Sequence, residues 1–234
     1  MLFPWGDLVV PSKLFRNIVA LPVRLMSFAA RSIGAAPFPV RKLHCGSVRT
    51  VEGFLRKSCP DSCKFNKVGT RGLDLGCGVS PRNPFGAESS FGIDIEEKAD
   101  PLVYRADLAL ERIPFDDGFF SFVSAFDFIE HVPRVCCGGD IRYPFVELMN
   151  EIYRVLDYDG IFFAKTPAFP FSEAFRDPTH VNIITEQTFP VYFCVGASRP
   201  LARSYGFKGG FRLVSQKWWG SAWLLTLLKK ETVR

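Results

Sequence analysis

The sequence predicts an α/β fold built on a mostly parallel sheet, and three observations predict it. From residue 71 onward, short apolar strand signals alternate with helix signals, the order that lays strands parallel in one sheet. Residues 72–78 read Gly-Leu-Asp-Leu-Gly-Cys-Gly, an apolar strand running into two glycines one residue apart, and Asp94 closes a second short strand sixteen residues past Gly78. With 234 residues, 47% of them apolar and 23% charged, the chain is long enough for one substantial globular domain with its own core.

The elements follow in order. A helix is expected over 48–57, capping the first strand at 71–75. Further strands are expected at 90–94, 102–106 and 121–126. Residues 144–157 read as an amphipathic helix: Pro144 suits its first turn, Phe145, Leu148, Met149, Ile152 and Leu156 recur at spacings of three and four, and Gly160 follows its end. The fifth strand is expected at 161–165. A proline-bearing loop then leads to a helix near 185–194, and 207–218 with 222–229 read as a closing antiparallel hairpin. Between Gly78 and Asp94, Pro81, Pro84 and Gly86 interrupt any helix, so that span is expected to be a turn or a very short helix.

The net charge of +5 is concentrated at the N-terminus. Lys13, Arg16, Arg24, Arg31, Arg41, Lys42 and Arg49 face only Asp7 in residues 1–51, whereas the remainder carries 22 basic and 23 acidic side chains and is close to neutral. On a helical wheel, Lys13, Arg16, Arg24 and Arg31 fall in one stripe about 100° wide, opposite Leu14, Phe15, Ile18, Val19, Leu25 and Met26. Pro22 kinks or splits that helix. The pattern fits an interfacial helix over 13–31 on anionic lipid, a helix docked on the domain, or an organelle-targeting peptide. Residues 1–45 are therefore read as a basic extension and linker, and 46–234 as the domain. No run approaches the roughly 20 apolar residues of a membrane-spanning helix, and no secretory leader stands out. Seven cysteines without a disulfide-like spacing point to a reducing, cytoplasmic compartment, with membrane contact only at the surface.

The two glycines allow close approach of a ligand to the backbone, and the carboxylate of Asp94 stands where a ribose diol can be gripped, so a nucleoside-containing cofactor is implied. The dinucleotide fingerprint asks for a third glycine where Pro81 stands. Downstream come Ala106-Asp107-Leu108, Ile113-Pro114-Phe115-Asp116-Asp117-Gly118, a strand ending at Phe126, and Glu130-His131-Val132. This series resembles the class I S-adenosylmethionine (SAM)-dependent methyltransferases, in the branch called type 11, over residues 70–215. The resemblance implies a Rossmann-like, seven-stranded, mostly parallel sheet with helices on both faces and the C-terminal hairpin at its edge. It implies SAM as cofactor. Asp74, Gly76, Cys77 and Gly78 would form the turn at its methionine end. Asp94, followed by Ile95, would hold the ribose, Asp107 would stand beside the adenine amine, and Leu108 and Phe126 would sandwich the ring. Arg82 is a candidate to replace the positive helix terminus that the interrupted span lacks.

The expected reaction is methyl transfer to an oxygen of a small-molecule, glycan or lipid-linked acceptor. The alternative enzyme is an RNA 2′-O-type or metal-dependent O-methyltransferase, although the neutral domain speaks against a nucleic-acid substrate, and a SAM-binding, membrane-associated scaffold is the non-enzymatic alternative. Three histidines are available, His44, His131 and His180. His131 follows the fourth strand, and His180 lies in Arg176-Asp177-Pro178-Thr179-His180-Val181-Asn182 after the fifth, both at the carboxyl edge where open α/β sheets bind ligands. Both are candidate bases. Asp127-Phe128-Ile129-Glu130-His131 also resembles the E-x-x-E-H element of metal-dependent methyltransferases of the ubiquinone pathway and of small-RNA 2′-O-methylation. That resemblance would make Asp127, Glu130, His131 and His180 ligands of a divalent ion; the expectation is a metal-free base. His44, Cys45, Cys59 and Cys63 form a poor zinc set, since two of them are adjacent. Residues 134–143, with Cys136 and Cys137, look like an insertion that covers the substrate.

Overall fold

The computed structural model describes residues 47–59, 68–196 and 199–232. The segment 13–31, the linker over 34–45, and His44, Cys45 and Cys63 lie outside the described residues. The strands are β1 (Ser47–Val48), β2 (Arg71–Leu75), β3 (Ser89–Asp94), β4 (Val103–Arg105), β5 (Phe120–Phe126), β6 (Cys136–Gly138), β7 (Asp140–Arg142), β8 (Leu156–Pro167), β9 (Phe211–Trp219) and β10 (Trp223–Lys230). The helices are α1 (Val51–Ser58), α2 (Pro144–Val155) and α3 (Thr188–Tyr192), with single 3₁₀ turns at Ile129–His131, Ser172–Ala174 and Leu201–Tyr205. Eight strands form one sheet in the order β1-β9-β10-β8-β5-β2-β3-β4. β2, β3, β4, β5 and β8 run parallel, and β10 lies antiparallel between β8 and β9. The eighth strand, beyond the seven expected, is the two-residue β1 paired with β9.

Side chains alternate across each strand, and the sheet sorts its core accordingly. Val123, Ala125, Phe162, Ala164, Leu224 and Leu228 join one cluster, covered by α2 and α3. Phe122, Ile161, Phe163, Leu225 and Leu227 join the other, covered by α1. α2 forms for the expected reasons: Pro144 at its start and Phe145, Leu148, Met149, Ile152 and Val155 buried along one stripe. Each of those side chains contributes up to about 1.5–3 kcal/mol on burial. α1 is capped by Thr50, whose hydroxyl accepts from the Gly53 N–H at 3.0 Å, and it buries Phe54 and Leu55.

No helix joins β2 to β3, in agreement with the prolines there. The Phe85 ring fills that space, stacked on Phe122 with centroids 4.4 Å apart. The fifth strand is longer than expected because β8 begins directly after α2. Its pairing with β5 jumps between Phe120 and Phe122, and residues 157–160 bulge out with Asp159 at φ 62°. The 134–143 insertion is a small separate hairpin of β6 and β7 turning at Gly139.

Candidate functional site: a cofactor-type cavity and a buried carboxylate between two imidazoles

The carboxyl ends of β2, β3, β4 and β5 meet at a cavity of about 320 Å³, lined by Gly76, Ile93, Asp94, Ile95, Ala106, Asp107, Leu108, Ala109, Asp127, Phe128, His131 and Val132. Gly76 and Gly78 both adopt left-handed backbone, at φ 63° and 68°. At Gly76 the close approach is also real, since a Cβ there would fall 2.5 Å from Phe128 Cδ2. The Gly78 N–H donates to Asp94 Oδ2 at 2.9 Å and the Glu96 N–H to Oδ1 at 3.1 Å, so the end of β3 and the glycine turn are one unit. Lys98 Nζ stands 3.7 Å from the same carboxylate. Asp107 Oδ1 accepts from the Ala109 N–H at 3.0 Å, a local turn contact.

Asp74 lies under this wall and is fully buried. Its Oδ2 accepts from the Arg82 N–H at 2.9 Å and its Oδ1 from Ser124 Oγ at 2.9 Å, with the Arg82 guanidinium 3.6 Å away. Burial pushes its carboxyl up to about 6, against the downward pull of those partners. Cys77 is a packing residue: it is buried against the Gly92 backbone, and burial lifts its thiol to about 11.

The structure thus brings Gly76, Asp94, Ile95, Asp107 and Leu108 to one cavity, with Asp74, Cys77 and Gly78 forming the turn behind it. Phe126 is a correction. It belongs to the opposite face of the sheet, packed on Phe163 at 5.3 Å and lying 5.0 Å beneath the Arg82 guanidinium. Phe128 lines the cavity instead. Two-residue alternation already places Phe126 with Phe122, and Asp127, at φ 50°, then turns the chain so that Phe128 faces Gly76. The 134–143 hairpin supplies no residue to this cavity; its Arg142 lines a separate groove along α2.

His131 lines the cavity too, and behind it lies a second group. The loop after β8 is clamped onto the 3₁₀ turn 129–131. The N–H groups of Val181 and Asn182 both donate to the Glu130 carbonyl, at 3.0 and 2.9 Å, and Asn182 Nδ2 donates to the Ile129 carbonyl at 3.1 Å. Arg134 holds the far side through Asn182 Oδ1 at 2.7 Å and the Ile183 carbonyl. The clamp sets the His180 ring edge-on to His131, centroids 4.8 Å apart at 75°. Thr179 Oγ1 lies 3.0 Å from His131 Nδ1 and donates to Asp177 Oδ1 at 2.6 Å. Having spent its hydrogen on Asp177, the Thr179 hydroxyl accepts at His131. That fixes the proton on Nδ1 and leaves Nε2 with a free lone pair.

Glu130 is 1% exposed, and among the described residues neither of its carboxylate oxygens has a partner; nor does the buried His180 Nδ1. Burial, chiefly, raises the Glu130 carboxyl to about 8. Asp127, grouped with these residues by sequence spacing, is drawn away: it pairs with Lys165 and accepts the Trp223 indole N–H at 2.7 Å. Sequence reasoning had no signal for this, because Lys165 and Trp223 come from β8 and β10. The positioning roles of Asp177, Thr179, Asn182 and Arg134 were also missed. The density of hydrogen-bonding residues in 176–182 was the available signal.

No protein-family model matches the sequence, and no curated protein sequence matches it. Solved structures do match. A Pyrococcus horikoshii protein superposes with a TM-score of 0.51 at 19% identity, covering 78% of this chain and 88% of that one. A SAM-dependent methyltransferase from Aquifex aeolicus gives 0.50 at 12% identity, covering 77% and 89%. The fold is that of the class I SAM-dependent methyltransferases, with the strand order and hairpin described above.

Proposed function

We propose that this chain is a SAM-dependent methyltransferase acting on an oxygen of a small-molecule, glycan or lipid-linked acceptor. One observation carries the reading: the cavity bounded by Gly76, Asp94 and Leu108 shares His131 as a wall with the Glu130–His131–His180 group, so a cofactor and an acceptor would meet at one edge. The cavity suits the nucleoside end of SAM. Its volume falls at the lower end for small-molecule sites, its carboxylate is set for a diol, and Ile93, Leu108, Phe128 and Val132 offer apolar walls. Arg82, about half exposed on its Phe126 platform, supplies positive charge beside the glycine turn in place of a helix terminus.

Bound SAM would supply a methyl group on a sulfonium. The C–S bond of that sulfonium would break as the acceptor's new C–O bond formed, with the sulfur keeping the electron pair. The chain's own part is to align the partners, which contributes up to about 7–11 kcal/mol in ideal cases, and to activate the hydroxyl, the role we give to His131 and His180. Exposed Phe169 and Phe175 on the loop after β8, together with a charge-neutral domain, favour a glycan or lipid-linked acceptor over nucleic acid. From sequence alone, the basic stripe over 13–31 is proposed to contact an anionic membrane surface. No helix among the described residues is long and apolar enough to cross a membrane.

Calorimetry with SAM and with its demethylated product tests the cofactor. Labelling a lysate with methyl-tritiated SAM, then separating lipid, glycan, RNA and protein, tests the acceptor. Affinity for SAM without label transfer to any fraction would favour a SAM-binding scaffold instead.

A further inference from the structure

We infer that the corner of the domain where the β9–β10 hairpin meets the loop after β8 rests on an anionic bilayer surface, so that the acceptor is taken from the membrane. The hairpin turns at the carboxyl edge of the sheet, since Trp223 at the start of β10 pairs with Pro167 at the end of β8. The loop after β8 leaves alongside it, with the Ala168 N–H donating to the Ala222 carbonyl at 3.0 Å. Four aromatic side chains flank this turn. Phe169 and Phe175 are 52% and 53% exposed and meet edge to face, ring centroids 6.4 Å apart. Trp219 and Trp223 are half-buried and meet edge to face at 5.6 Å. A single exposed phenylalanine is ordinary, but two in mutual contact, sharing a turn with two indoles, make an apolar patch that marks an interaction surface.

Two observations say what covers the patch. The first is charge. Arg49 follows the residue of β1 that pairs with Trp219, Lys217 stands two residues before Trp219 on the same face, and Arg176 follows Phe175. Among the described residues none of these three cations has an ion-pair partner, whereas the acids of the loop are engaged: Glu173 accepts from Ser172 Oγ at 3.2 Å and Asp177 from Thr179 Oγ1 at 2.6 Å. Aromatic rings bordered by free cations are the composition of an interfacial anchor on anionic lipid. The second is the point where the chain enters the domain. Ser47 and Val48 pair with Trp218 and Trp219, so the segment carrying the cationic stripe over 13–31 is joined to the domain at this corner. Residues 32–46 span at most roughly 50 Å when fully extended, which keeps the corner within reach of any surface that holds the stripe. Stable peripheral anchoring generally takes two signals. Here the stripe supplies the attraction and the aromatic corner sets the orientation.

The inference deepens the proposed function by choosing a lipid-linked acceptor over a free glycan, and it rests on that reading for the acceptor alone. The candidate cavity, with His131 in its wall, lies at the same carboxyl edge as the hairpin turn. Val181, next to His180 and 52% exposed, continues the apolar rim toward the imidazoles.

The test uses the full chain carrying Trp5→Phe, so that the remaining indoles are Trp218, Trp219 and Trp223. It is mixed with vesicles of phosphatidylglycerol and bromine-labelled phosphatidylcholine, or of the labelled phosphatidylcholine alone. The mixed vesicles should bind the protein and quench its indole fluorescence, and the phosphatidylcholine vesicles should do neither. Phe169→Ser and Phe175→Ser should each weaken binding roughly 5–10-fold and reduce the quenching. Arg176→Gln should weaken binding roughly 5-fold at low salt. Ile141→Ser, an exposed apolar position on the 134–143 hairpin, should leave both unchanged. If Phe169→Ser lowers the melting temperature, Phe175→Ser carries the test. The inference is overturned by no vesicle binding, by binding without quenching, or by equal losses in the Phe175 and Ile141 variants. SAM calorimetry on the same samples separates the two claims. Quenching without SAM affinity keeps the membrane surface and removes the methyltransferase reading, and SAM affinity without quenching does the reverse. Where both hold, label from methyl-tritiated SAM should enter the lipid fraction of a lysate, and label confined to water-soluble glycan would overturn the choice of acceptor.

Discussion

The indole N–H of Trp223 donates to Asp127 Oδ1 at 2.7 Å, joining the last strand of the sheet to the turn that leaves β5. Lys165 closes the group, with its ammonium 5.1 Å from the Trp223 ring and 5.2 Å from that of Trp219. This bracing holds Asp127 in left-handed backbone and so aims Phe128 and the 3₁₀ turn at the cavity. Trp223→Phe should keep the ring and lose the bond. We expect a cost of about 0.5–1.5 kcal/mol, or more because the acceptor is charged, read by denaturant unfolding. No loss would make the bond incidental.

Asp94 is the next test. Asp94→Ala should weaken SAM binding by about 1.5–3 kcal/mol, since a charged acceptor is lost. It should also loosen the glycine turn, because the Gly78 N–H loses its partner. Calorimetry with unchanged affinity would remove Asp94 from the site and with it the cofactor assignment.

The imidazole pair should govern turnover and not cofactor affinity. His180→Ala and His131→Ala should each lower turnover by about 10²–10⁴-fold, with SAM affinity little changed. Asn182→Ala should act in the same direction from a distance, by releasing the clamp on the Ile129 carbonyl and Arg134. A full-rate Asn182→Ala enzyme would show that the clamp does not set the site.

Asp74 makes stability depend on pH with an unusual sign. Its carboxyl rises from an ordinary 3.8 to about 6 in the folded chain. Between those values the native state binds more protons than the unfolded one, so stability falls as pH rises through that window. The contribution is fully present below 3.8 and lost above 6, on the order of 3 kcal/mol at 1.36 kcal/mol per unit. Glu130 pulls in the same direction, so the comparison must be between wild type and Asp74→Asn. The variant should gain on the wild type between pH 4 and 7; parallel curves would refute this.

For the N-terminal segment, full-length protein should pellet with anionic vesicles and release as salt rises. A chain lacking residues 1–33 should not pellet but should still bind SAM. Unfolding of the shortened chain would show that the segment belongs to the core.

Much of this architecture was legible in the sequence because its signals are local. Strand alternation placed β2, β3, β4 and β5 within a residue or so, heptad-like spacing placed α2, and prolines at 81 and 84 announced a crossover without a helix. The glycine turn and Asp94 were visible for the same reason. What was not legible depends on distant partners. Asp127 looked like a fourth ligand until β8 and β10 supplied Lys165 and Trp223. Phe126 is the exception, a local signal passed over: its two-residue alternation with Phe122 along β5 already puts it on the opposite face from the cavity. The convergence of His131 and His180 was expected from topology, but Asp177, which reaches His131 through Thr179 and lies 3.9 Å from His180 Nε2, is brought there by the loop after β8 folding back, which no spacing encodes.

The crossover from β2 to β3 has one more consequence. A helix there would open and close as a cooperative ladder of backbone bonds. This segment instead stands on separate ties: Asn83 to both backbone groups of Ala87 at 2.8 Å, Ser90 to the Arg82 carbonyl at 3.3 Å, and Arg82 to Asp74. Amide exchange along residues 77–88 should therefore vary residue by residue, with protection strongest at Cys77, Gly78, Arg82 and Ala87, whose N–H groups each donate to a separate partner. The wall of the cavity nearest the glycines would then adjust to its ligand one tie at a time.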